Sequence, residues 1–143
     1  MHALKVRYGL LVLLSATLLF CSTKIQTLGS WRRVSSHPVI SPHGGSWESA
    51  GTFNPAVIIH QGKFVMLYRA QDKNGTSRLG YAESGDGIHF TRWPQPVLSP
   101  EADYERDGGV EDPRLVKFGD TYYLTYTGYN KKDAQRAWQL PWI

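Results

Sequence analysis

The chain has 143 residues, of which 41% are hydrophobic, 13% aromatic and 20% charged, the size and balance of about one globular domain. Its formal charge of +4 overstates its basicity, because Lys5, Arg7 and Lys24 all precede Ile25 and the remainder is one positive charge from neutral. No basic run is interleaved with aromatics, so no nucleic-acid partner is implied, and a single cysteine, Cys21, excludes an intramolecular disulfide.

At the N-terminus, Lys5 and Arg7 lead into the uncharged stretch Tyr8–Phe20. This is too short to span a bilayer comfortably and has the basic and apolar regions of a secretory signal. The pattern predicts a signal helix over residues 1–24, no stable membrane span, and export to the periplasm or the extracellular space. Cys21 stands where a lipid-anchoring cysteine would, although Phe20 before it is bulky where such signals favour a small residue.

Beyond Gly29 the chain repeats itself. His37-Pro38-Val39-Ile40-Ser41-Pro42 returns as Gln95-Pro96-Val97-Leu98-Ser99-Pro100, a shift of 58. At the same shift Gly51 meets Gly109, Asn54-Pro55 meets Asp112-Pro113, and Tyr68 meets Tyr126. Aromatic and β-branched residues punctuated by Gly and Pro read as strands and turns, and repeats of this period in such a chain read as β-propeller blades. The first copy offers strands at Ala56–Ile59, Phe64–Ala70, Arg78–Glu83 and Phe90–Trp93, with turns at Gln61-Gly62, Lys73-Asn74-Gly75 and Gly85-Asp86-Gly87.

The predicted organisation is an all-β domain over 30–143, with blade one at about 37–94, a partial blade two at about 95–135, and a tail at 136–143. That tail lacks strand alternation and carries Pro141 where a ladder donor is expected. A propeller needs about four blades or more, so the expectation is an incomplete two-blade fragment from a truncated gene product, inactive alone.

Asn54-Pro55 and Asp112-Pro113 are placed just before strands that would line a central channel, so both side chains are expected to face one pocket. Arg69 and Asp72 follow the second strand of blade one and add charge to a polar ring. Trp47 and Tyr104 offer flat faces for the CH groups of a sugar, and amide, guanidinium and carboxylate together suit hydroxyl groups. No metal-ligand spacing is present.

The runs Ala50-Gly51-Thr52-Phe53-Asn54-Pro55-Ala56, Leu67-Tyr68-Arg69-Ala70, Ser77-Arg78-Leu79-Gly80-Tyr81-Ala82 and Gly109-Val110-Glu111-Asp112-Pro113-Arg114 resemble glycoside hydrolase family 130, over about Val39–Gln135. The resemblance implies a five-bladed propeller and inverting cleavage of β-mannosides by phosphate or water. It implies no cofactor, with inorganic phosphate as co-substrate in a phosphorylase, and leaves homo-oligomerisation of full-length relatives open. By position it assigns Asp112 as general acid, Asn54 and Arg69 as sugar-holding groups, and Glu111 and Arg114 as orienting groups. The alternatives are a non-catalytic carbohydrate-binding propeller fragment and a furanosidase-type five-bladed glycosidase. The latter would need an acid where Asn54 stands.

Overall fold

The computed structural model describes residues 29–132 and 134–139. The expected signal, Cys21 and everything beyond 139 lie outside the described residues. Of the chain's two compact units, Met1–Arg33 is described only over 29–33, which has no regular structure, while Val34–Ile143 carries all the described strands. Among the described residues no helix is long and apolar enough to cross a membrane.

Among its described residues the second unit is all-β apart from one 3-10 turn at Asp103–Glu105. Blade one comprises β1 (Gly51–His60), β2 (Lys63–Gln71), β3 (Ser77–Ser84) and the short β4 (Thr91–Arg92), paired antiparallel in sequence order. Blade two comprises β5 (Gly109–Phe118), β6 (Thr121–Tyr129) and β7 (Ala134–Gln139), also antiparallel. One parallel bridge, Ser77 to Gly109, joins the blades into an open sheet.

Turn chemistry sets these pairings. Gln61 and Gly62 both have positive φ, 49° and 77°, in the two-residue turn that closes β1 on β2. Such turns match the right-handed twist of the flanking strands. After β3, Asp86 Oδ1 accepts the Ile88 and His89 amides at 2.8 Å each, and Ser84 Oγ accepts the Gly87 amide at 2.9 Å, which ties the loop leading to β4.

Alternation along β2 buries both of its faces, hence its nearly continuous apolar run. Val65 and Leu67 join Leu79, Tyr81, Val110, Leu124 and Tyr126 in a core to which both blades contribute. Met66, Tyr68 and Ala70 face the other way and are covered by Ile40, Trp47 and Phe90. Arg69 has the parity of Val65 and Leu67, so its side chain emerges on the seam with blade two.

Two expectations about strands are corrected. Asn54-Pro55 and Asp112-Pro113 lie inside β1 and β5, not ahead of them. Pairing skips from Phe53–Arg69 to Ala56–Leu67 and from Glu111–Thr127 to Arg114–Thr125, so each Asx-Pro pair forms a bulge opposite one tyrosine, Tyr68 or Tyr126. The tail read as having lost its strand pattern contributes β7, whose backbone pairs with Leu124–Tyr129. A ladder needs main-chain donors more than alternating side chains, and Pro141 falls beyond this strand.

Each tyrosine opposite a bulge is anchored by a buried glutamate. Tyr68 donates to Glu48 Oε2 at 2.8 Å, and Arg92 donates to the same oxygen at 3.0 Å. Tyr126 donates to Glu105 Oε1 at 2.7 Å, while Glu105 Oε2 accepts the Glu101 and Ala102 amides at 2.8 and 3.0 Å. Burial, reinforced by the neighbouring carboxylate, raises the pKa of both phenols, and burial with the Glu83 contact pushes Tyr81 up to about 12. Gly109 completes the seam: at φ 102° it lies against Ser77, where a Cβ would strike the Ser77 backbone.

Two outcomes are expected. Tyr126→Phe leaves a buried carboxylate oxygen without its donor and costs about 1–3 kcal/mol in chemical denaturation. Because the three phenols ionise more readily when unfolded, their contribution to stability is intact below the ordinary tyrosine value of about 10 and lost as pH rises above it. In an alkaline titration, phenolate absorbance from these three therefore appears together with loss of the β-sheet circular dichroism.

Candidate functional site

The two bulges bring their Asx residues together. Asn54 has φ 44° and Asp112 φ 52°, the left-handed region that asparagine and aspartate tolerate better than other non-glycine residues. In each bulge the following proline has a fixed φ and no amide to donate, which suits a position outside the ladder. Asn54 Nδ2 donates to Asp112 Oδ1 at 2.6 Å, across 58 residues of sequence.

Arg69 reaches the same point from β2. Its Nη2 lies 2.7 Å from Glu111 Oε1 and its Nη1 3.7 Å from Asp112 Oδ1. Nε donates to Ser77 Oγ at 3.0 Å, Ser77 Oγ donates to Glu111 Oε1 at 3.0 Å, and the Phe53 ring centre is 5.3 Å from the guanidinium carbon. Both carboxylates are thus ordered by one cation and two neutral donors. Among the described residues, nothing engages Asp112 Oδ2, and the Asp112 side chain is 34% exposed. A part-exposed carboxyl group held by one oxygen, with the other unpartnered, is arranged to pass a proton to a bound molecule.

The remaining candidates sit elsewhere. Arg114 is exposed and donates to the Pro113 carbonyl at 2.9 Å, so it braces the bulge backbone. Asp72, expected in the polar ring, is a turn residue. Burial opposes its ionisation, but the Arg78 guanidinium and the Thr76 and Asn74 amides outweigh this and lower its pKa. Its Oδ2 is 2.8 Å from Arg78 Nη1. Trp47 packs on Tyr68 with centroids 6.3 Å apart and donates to the Pro94 carbonyl at 3.3 Å. Trp47 and Asp72 line a hollow of about 500 Å³ with Ser46, Arg78, Gln95 and Pro96, and none of Asn54, Arg69 or Asp112 lines it. Tyr104 is not an open sugar platform either: its ring crosses Gly128, and its side chain hydrogen-bonds Tyr126.

Sequence reasoning missed Ser77 as a partner of Glu111 and missed both buried glutamates. The signal for the latter was present, since Glu48 and Glu105 are 57 residues apart, one short of the repeat.

Residues 23–140 match a family model described as β-1,4-mannooligosaccharide phosphorylase. The chain belongs to glycoside hydrolase family 130. It is 45% identical over 109 residues to a 1,2-β-oligomannan phosphorylase of Thermoanaerobacter sp. (strain X514), covering 71% of this chain and 36% of that one. A crystal structure of a glycoside hydrolase from Parabacteroides distasonis superposes with a TM-score of 0.70 at 42% identity, over 76% of this chain and 37% of its own. Another, from work on family 130 hydrolases that target β-1,2-mannosidic linkages in Candida mannan, gives 0.68 at 38% identity, over 77% and 40%. The open sheet is accordingly a partial propeller of the five-bladed family 130 fold, and the chain spans between a third and two fifths of the length of these relatives.

The inter-blade contact is measurable. In a double-mutant cycle of Asn54→Ala and Asp112→Ala, the two losses of stability are expected to be non-additive by about 1 kcal/mol, as for a charge-assisted hydrogen bond at a part-exposed site. Additive losses would show the residues act separately.

Proposed function

We propose that the Asn54–Arg69–Asp112 cluster belongs to a site that cleaves β-mannosides by phosphorolysis with inversion. The observation that carries this reading is the 2.6 Å bond from Asn54 to Asp112 Oδ1, with no partner on Oδ2 among the described residues. Asn54 and Arg69 supply donors for sugar hydroxyls. Asp112 gives the proton on Oδ2 to the departing glycosidic oxygen as its bond to the anomeric carbon breaks. A phosphate oxygen bonds to the opposite face of that carbon, and the products are a mannose 1-phosphate and the shortened sugar.

Phosphorolysis is favoured over hydrolysis by the named activity of the Thermoanaerobacter relative. Inverting hydrolysis requires a second carboxylate free to activate water, and Glu111, committed to Arg69 and Ser77, does not supply one. Phosphate arrives already nucleophilic but must be gripped by cations. Arg69 is shared by two carboxylates, so we assign the phosphate-gripping groups to the length of the relatives that this chain does not span, and expect no turnover from the 143 residues alone. The named activity of the Thermoanaerobacter relative supports a β-1,2-linked mannoside as substrate. Export remains a proposal resting on the apolar stretch Tyr8–Phe20.

The test is a chimera in which residues 34–132 replace the matched segment of that relative. Mannose 1-phosphate release from a β-1,2-oligomannan and phosphate is expected. Asp112→Asn, which the left-handed backbone accommodates, should lower kcat by about 10²–10⁴-fold, whereas Asn54→Ala should act mainly on KM. A folded Asp112→Asn chimera turning over at the unsubstituted rate would refute the assignment.

A further inference from the structure

We propose that Glu111 is a positioning residue that holds the Arg69 guanidinium off Asp112, so that Asp112 retains its proton for delivery. The inference rests on the reading of Asp112 as a general acid. Its physical core is that one cation lies between two adjacent carboxylates and the structure divides it unequally. Arg69 Nη2 is 2.7 Å from Glu111 Oε1, a full charge-assisted hydrogen bond, while Nη1 is 3.7 Å from Asp112 Oδ1, beyond hydrogen-bond range.

The unequal division is enforced. Arg69, Ser77 and Glu111 close a triangle of contacts of 3.0, 3.0 and 2.7 Å. The Phe53 ring lies over the guanidinium. Phe53 and Glu111 are repeat equivalents, each the residue before its bulged Asx, so the two blades clamp Arg69 from matching positions. Exposure follows the same order: the Glu111 side chain is 12% exposed and that of Asp112 34%, so the better-shielded carboxylate holds the cation.

Released from the clamp, a guanidinium this close would pair with Asp112 and favour its ionised form, the opposite of what an acid catalyst needs. The charged or polar groups facing Asp112 are Asn54 from β1, Arg69 from β2 and Glu111 from β5 itself; Asn54 is neutral, so the local field is set by the Glu111 carboxylate together with the division of Arg69.

The test reads protonation directly in the 143-residue chain. With ¹³C-aspartate labelling, the Asp112 γ-carbon is assigned by its loss in Asp112→Asn and followed against pH. In Glu111→Gln the titration midpoint of Asp112 is expected to fall by about one pH unit or more. In Glu111→Asp, which keeps the charge, the fall should be smaller. In an Arg69→Met background, where no cation is left to swing onto Asp112, Glu111→Asp should move the midpoint little; Glu111→Gln also removes a neighbouring like charge and lowers the midpoint in either background. No fall in Glu111→Asp, or the same fall with and without Arg69, overturns the proposal. If Glu111→Gln does not fold, as seen by amide dispersion, Glu111→Asp read with and without Arg69→Met gives the same comparison. These readouts need no turnover, so they stand or fall separately from β-mannoside cleavage.

Discussion

Everything at the site depends on one backbone feature made twice: a β-bulge in which an Asx-Pro pair opposes a single tyrosine. The bulge places Asn54 and Asp112 in the left-handed region, where their side chains leave the ordinary alternation of the strand. An unbulged strand would project them by period two, with no means of re-aiming both at one point. The strain of two positive-φ residues must be offset by what surrounds them. The tyrosine opposite each bulge is locked by a buried glutamate, so the ladder cannot slip to absorb the extra residue.

The two repeats share this frame and differ in what they carry on it. Asn54 and Asp112 are equivalent positions, one a neutral donor and the other an acid; two acids there would repel at the distance these groups adopt. Phe53 and Glu111 are equivalent as well, and both hold Arg69, whose own counterpart in blade two is Thr127. Repetition fixes the geometry, and substitution within the repeat supplies the chemistry. The glutamate anchors diverge in a similar way. Glu48 is neutralised in part by Arg92, whereas Glu105 is satisfied by a phenol and two backbone amides.

Much of this was legible in the sequence because it is local or periodic. Glycines at turns, the apolar run of β2 and the 58-residue shift led to the strands, to two blades and to the facing Asn54 and Asp112. What could not be read depended on parity and on contacts between blades. Arg69 and Ser77 reach Glu111 only because they share the seam-facing side of β2 and β3. Trp47, Asp72 and Tyr104 have side chains suited to sugars, but residue type says nothing about whether a face is already occupied. Tyr68, Arg78 and Gly128 occupy them. The bulges were hidden for another reason: Asp-Pro and Asn-Pro are common turn signals, and only the pairing of Tyr68 and Tyr126 against them shows that the strands run on.

The claim that the paired bulges join Asn54 to Asp112 is tested most directly by the side-chain amide of Asn54 in proton NMR. The account predicts that one Nδ2 proton is shifted downfield and exchanges slowly with water, and that both features vanish in Asp112→Ala while other asparagine amides are unchanged. Two Asn54 protons that exchange as fast as those of a free asparagine, with or without Asp112, would contradict it.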